Sequence, residues 1–294
     1  MTRLRADLLL LLASIIWGTA FVSQKQAFAH VGAFTFVASR FFLSALLVVI
    51  PAFREFRRLT VVEKSRVNKY EVVGLCVAIT IGAILQQVGL ANTSVTNAGF
   101  LTGLYVLFVP MFCALIYHEK LSRLLWAAAL LSVAGVWLLS GAQWDGFTSG
   151  DWLVMLCAVA FAFQVALIGR IMMRVSVPFT LSFLQYASIA SVATIGMFLF
   201  EQPAWADIHA AMWPILYAGI VSGGIAYTLQ VIAQQYAPPS DSAIILGSEA
   251  VFAAIAAAIL IDERLNAIQY GGCALIIFAI LLVEFMPMLK RRRN

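Results

Sequence analysis

The chain has 294 residues, 63% hydrophobic and 11% charged, with a formal net charge of +5. Ordinary globular domains are roughly 45–50% apolar and about 25% charged, so too few charges remain here to cover a water-facing surface. That composition excludes a soluble globular class and makes lipid the solvent for most of the chain.

A helix needs about 20 mostly apolar residues to cross the hydrocarbon core. Taken in chain order, ten stretches qualify: 6–28, 33–51, 72–91, 95–117, 121–140, 152–173, 179–200, 213–233, 242–261 and 267–285. The first run is too long for a signal-peptide core and is read as a retained span. Most connections are short, so neighbouring spans run antiparallel. The expected fold is an all-α integral membrane bundle of ten transmembrane helices.

Charge sets its orientation. With the N-terminus inside, all Lys and Arg except Lys25, Arg40 and Arg264 fall on the inner side, as the insertion bias requires. The expected topology is therefore N-in and C-in. The same bias, with anionic lipid contact, accounts for the basic 54–69 loop and tail, so no nucleic-acid partner is expected.

The chain also repeats itself. Asn97 to Leu121 returns as Asp241 to Leu265, an offset of 144 that aligns Glu119-Lys120-Leu121 with Glu263-Arg264-Leu265. It pairs Trp17 with Phe161, Gln86 with Gln230, and Tyr105 with Glu249. Two halves follow, 1–145 and 146–294, of five spans each. An odd number turns the second half upside down, giving an inverted-topology repeat of the kind found in alternating-access transporters.

Ionisable residues inside spans are costly and point to function. Glu249 lies in the first half of span nine, as a proton site or a partner for a substrate amine, against the alternative of a structural acid. Arg40, well inside span two, is a charge partner for a substrate carboxylate or for Glu249, unless it caps a neighbouring helix or snorkels. Lys25 is read as snorkelling to the interface. Tyr227, Gln230 and Gln234 share one face of span eight. Gln86 and Gln87, Gln164, Asn97 and Tyr105 add polar groups to spans three, six and four. Amides in such positions either face water or tie helices together. Gly219, Gly223 and Gly224 favour close helix approach. The cysteines at 76, 113, 157 and 273 lack paired spacing, and the three histidines are scattered, so no metal or cofactor is expected.

Several of these features resemble the drug/metabolite transporter superfamily, EamA type, over essentially the whole chain. They are Trp17-Gly18 with Phe21, Arg40, the two Glu-basic-Leu tails and the run Ser248 to Phe252. Ala250 stands where the family usually has proline, and Pro110 lies four residues past the matching Val106, which displaces any first-half kink. The resemblance implies a central cavity lined by spans one, three, four, six, eight and nine. It favours the cavity over the tie for the polar set, giving Trp17, Gln86, Tyr105, Gln164, Tyr227, Gln230 and Glu249 as substrate-binding candidates. It further implies a multi-pass secondary transporter of a bacterial cytoplasmic (inner) membrane that exports small metabolites, amino acids and aromatic ones foremost, with protons as a second partner. A lipid flippase or nucleotide-sugar carrier on the same fold is the alternative. An intramembrane enzyme lacks its nucleophile, base or metal cluster here, and no Walker A sequence occurs.

Overall fold

The computed structural model describes residues 1–116, 118, 121–139, 148–262 and 265–291, with backbone alone at 139 and 283–291. Every regular element among the described residues is helical. The first half holds α1 (Arg3–Ala27), α2 (Ala33–Arg58), the short α3 (Val61–Arg66), α4 (Lys69–Ala91), α5 (Val95–Gly103), α6 (Tyr105–Leu115) and α7 (Arg123–Leu139). The second holds α8 (Ser149–Met172), α9 (Pro178–Phe200), α10 (Trp205–Ala210), α11 (Met212–Leu216), a π-helical segment (Tyr217–Ala226), α12 (Tyr227–Ala233), α13 (Pro239–Leu246), α14 (Glu249–Leu260) and α15 (Ala267–Arg291).

Eight of these helical stretches are long and apolar enough to cross a membrane: α1, α2, α4, α5–α6, α8, α9, α11–α12 and α13–α14. They match eight of the ten expected spans. The fifth and tenth are apolar helices that pack on each other as α7 and α15. With 17 residues, α7 spans only about 25 Å at the α-helical rise. Glu119, Lys120, Glu263 and Arg264 lie outside the described residues. His118 and Asp262, which precede them at matched positions, both adopt left-handed backbone with φ of 55° and 56°. His and Asp tolerate that region better than most residues.

Helix packing follows one scheme twice. α2 packs on α9, and α7 on α15. α1 packs on α13–α14 and on the π segment with α12, while α8 packs on α5–α6 and on α4. Exchanging the halves converts each pairing into another that is present. The α2–α9 pair is antiparallel and capped at both ends by carboxylates. At the end of α9, Glu201 accepts from the Phe34 and Thr35 amides at 2.9 and 2.8 Å and from Thr35 Oγ1. At the end of α2, Glu55 accepts from the Phe179 and Thr180 amides. Each satisfies donors that a helix start leaves orphaned. Glu201→Ala is therefore expected to cost about 1–2 kcal/mol, read as a melting temperature several degrees lower in detergent.

Several basic residues gather at one end of the bundle. Glu71 at the start of α4 pairs with Arg170 and Arg174 at the end of α8. Arg3 bridges Asp7 and Asp241, at 2.8 and 3.0 Å, tying α1 to the start of α13. The α3 helix caps itself there, and the Thr60 amide and hydroxyl hold the Glu63 carboxyl below its usual range.

Close approach depends on small residues, as lipid offers no hydrophobic force between helices. Atoms of Leu43, Ser44 and Leu47 on α2 occupy the space where side chains at Gly219, Gly223 and Gly224 would stand. Ser44 Oγ donates to the Gly219 carbonyl at 2.7 Å. The three glycines thus serve packing, as expected from their spacing.

Candidate functional site

Between the two halves lies a cavity lined by Trp17, Phe21, Gln24, Arg40, Gln86, Thr102, Tyr105, Phe161, Gln164, Val165, Ser222, Tyr227, Gln230, Leu246 and Glu249. All seven substrate-binding candidates and Arg40 meet there. Ten of the fifteen linings form pairs at the offset of 144: Trp17/Phe161, Phe21/Val165, Gln86/Gln230, Thr102/Leu246 and Tyr105/Glu249. The cavity therefore sits where equivalent helices of the two halves converge.

Two helix breaks shape it. The fourth span parts at Leu104 between α5 and α6, and the ninth at Gly247-Ser248 between α13 and α14. Leu104 and Ser248 are themselves matched positions. The break in the ninth span thus needs no proline, and the first-half break is not displaced to Pro110, which lies inside α6. Tyr105 and Glu249 follow the breaks directly. The Tyr105 hydroxyl lies beside the Glu249 carboxylate, and neither it nor Glu249 Oε1 meets a partner at hydrogen-bonding geometry among the described residues. Glu249 is 3% exposed, and no ion pair reaches it among the described residues.

Aromatic rings form one wall. Trp17 and Tyr227 lie with centroids 4.5 Å apart. Trp17 Nε1 donates to the Ser222 carbonyl at 3.2 Å, within the π segment. Opposite, the Phe161 ring lies over Gly82, within 2.6 Å of where a Cβ would stand. Behind Tyr227 stand Phe41 and Tyr186.

The amides divide between the two roles. Gln86 Nε2 donates to Thr102 Oγ1 at 3.1 Å, and Gln164 Nε2 donates to Gln185 Oε1 at 3.1 Å and Gln230 Oε1 at 3.4 Å. These three amides line the cavity and tie neighbouring helices together at once. Gln234 and Gln87 do not line it. Gln234 Nε2 donates to the Val165 carbonyl at 2.9 Å and Gln87 Nε2 to the Gln24 carbonyl, so both are ties between helices. Asn97 also lies away from it, in the first turn of α5.

The charged residues of spans one and two also depart from expectation. Lys25 does not snorkel: its Nζ donates to the carbonyls of Leu90, Ala91 and Thr93, capping the end of α4. Cations at helix C-termini are favoured by the orphan carbonyls there. Lys25→Met is expected to loosen this end of the cavity. In a cysteine-free background with Gln86→Cys, thiol labelling should speed up several-fold; an unchanged rate would remove Lys25 from the closure. Arg40 does not pair with Glu249. Its Nη1 donates to Gln24 Oε1 at 2.8 Å, and its guanidinium lies 4.6 Å from the Phe41 ring centroid.

Phe21, Gln24 and Thr102 were not among the sequence candidates. Phe21 and Gln24 stand four and seven residues past Trp17, the spacing of one helical face, and Thr102 stands three before Tyr105. That periodicity around Trp17 was the available signal. Among the described residues, no group of His, Cys, Asp and Glu could hold a metal.

Residues 4–141 and 148–285 each match the model of the EamA-like transporter family. A protein of Archaeoglobus fulgidus named "Uncharacterized transporter" is 31% identical over 282 residues, covering 96% of this chain and 86% of that one. A similarly named transporter of Synechocystis is 21% identical, covering 98% and 92%. One solved crystal structure shares the fold at a TM-score of 0.78 and 19% identity, each chain covered completely.

Proposed function

The chain belongs to the EamA-like transporter family and is a multi-pass membrane protein, and from that premise we propose that it exports small metabolites, amino acids and aromatic ones foremost, by alternating access. The observation that carries the proposal is the cavity between matched elements, which holds a buried carboxylate beside an aromatic wall. In this reading 1–145 and 146–294 are inverted five-helix repeats, and α7 and α15 complete ten spans. The end bearing Arg170, Arg174 and the 54–69 loop faces the cytoplasm, following the insertion bias, in a bacterial inner membrane.

Glu249 would bind a proton or a substrate ammonium in turn, so that loading one releases the other. That competition couples substrate movement in one direction to proton movement in the other. Trp17, Tyr227 and Phe161 would take an apolar or aromatic side chain and could also hold a cation against their faces. With one guanidinium at the cavity, the site is poorly suited to a nucleotide-sugar, whose phosphates call for several donors. The test is uptake of a labelled aromatic and aliphatic amino-acid panel into liposomes containing the purified protein, with and without a pH gradient. Saturable, gradient-dependent flux of a few related amino acids is expected. Flux no greater than in empty liposomes for every member would overturn the amino-acid assignment.

A further inference from the structure

Arg40 is 2% exposed, and two of its guanidinium nitrogens, Nε and Nη2, have no hydrogen-bond partner among the described residues. Among the described residues, the one hydrogen bond its side chain makes goes to Gln24 Oε1, at 2.8 Å, and both residues line the cavity. A fully buried cation with unmet donors is costly unless something negative completes it. Glu249, the one carboxylate among the described residues that line the cavity, does not pair with it there and carries its own unmet oxygen. Two opposite charges thus border one space and leave each other unneutralised.

We propose that Arg40, held in place by Gln24, is the carboxylate-binding group for the transported molecule. The cavity then selects a zwitterion, with its ammonium on Glu249 and its carboxylate on Arg40. This rests on the transport reading of the same cavity. Guanidinium offers a planar fork suited to a carboxylate, and the two free nitrogens leave that fork available. Because Arg40 and Gln24 belong to the first half and Glu249 to the second, one bound zwitterion links both halves.

The test compares phenylalanine with phenethylamine, which lacks the carboxylate, and with 3-phenylpropionate, which lacks the amine. Leucine and its two counterparts form a second set. Binding to the purified protein is followed by thermal shift and transport by competition against labelled uptake. The wild type is expected to prefer each amino acid over its amine at least 30-fold. Arg40→Met is expected to reduce that preference to less than threefold while the substrate-free protein melts at the same or a higher temperature, because an unpaired buried charge has gone. A preference unchanged in Arg40→Met overturns the proposal. So does a lower melting temperature with equal loss of every ligand, which would make Arg40 a structural tie to Gln24 and Phe41. Wild-type transport of the amines as fast as the amino acids overturns it too but leaves transport standing, whereas no flux of any compound overturns both.

Discussion

Glu249→Gln is expected to abolish the pH-dependent part of transport, a fall of at least 100-fold, without unfolding the protein. Glutamine keeps the shape of the side chain and removes its ability to exchange a proton or to neutralise an ammonium. Glu249 is the one carboxylate lining the cavity, and no ion pair holds it among the described residues. The variant should therefore melt no lower than wild type, since an unpaired buried charge stabilises little. Glu249→Asp, with charge retained but the carboxylate withdrawn by one methylene, should keep partial flux. The measurement is substrate uptake into liposomes at several imposed pH gradients. Flux that still follows the gradient in Glu249→Gln would assign coupling to another group.

The cavity's present size bears on what that experiment reads. The space open to the centre of a water-sized sphere is ≈ 30 Å³, room for about two waters. Loading must therefore separate elements that now touch. The ties at its two ends are of different kinds: Arg3 with Asp7 and Asp241 at one, Lys25 on the carbonyls of α4 at the other. The Arg3–Asp241 pair crosses between the halves, whereas Lys25 holds α1 to α4 within the first half, so movement of one half against the other breaks the first and can spare the second.

Much of this arrangement was legible in the sequence, for reasons that also explain what was not. Hydropathy marks spans because lipid forbids exposed polar backbone. The repeat places residues in register, so Trp17 with Phe161, and Tyr105 with Glu249, could be matched before any helix was positioned. Partner choice was harder to read. Gln230 and Gln234 lie one turn apart, yet the first meets the cavity and the second the Val165 carbonyl. Composition is the same for both roles; both glutamines meet α8, the first at the Gln164 side chain and the second at the Val165 carbonyl. Lys25 looked free to snorkel because the end of α4, 65 residues on, is its neighbour only after folding. Proline was a poor guide to the breaks at Leu104 and Ser248, since neither residue is preceded or followed by one. The π segment at Tyr217–Ala226 carried no signal beyond its glycines.

Gly18→Val is expected to produce a large loss of stability. A Cβ at position 18 would stand 2.5 Å from Phe252 Cβ and 2.7 Å from the Ala253 nitrogen on α14. The second of these is backbone, which cannot rotate away, so α1 and α14 must separate. Overpacking of this sort costs about 1–3 kcal/mol, occasionally more, and here it also undoes the short helix contact on which association in lipid depends. Trp17 is the adjacent residue, and moving α1 would draw its indole off the Ser222 carbonyl and away from Tyr227. Melting temperature and flux should therefore fall together, flux by at least tenfold. Gly271→Ala is the counterpart in α15, where a Cβ would meet nothing within 4 Å. It should leave flux unchanged and raise stability by about 0.5–1 kcal/mol through helix propensity alone. If Gly18→Val instead melts like wild type and transports, the α1–α14 contact is not a fixed element of the fold, and Trp17 must be held by something other than the close approach at Gly18.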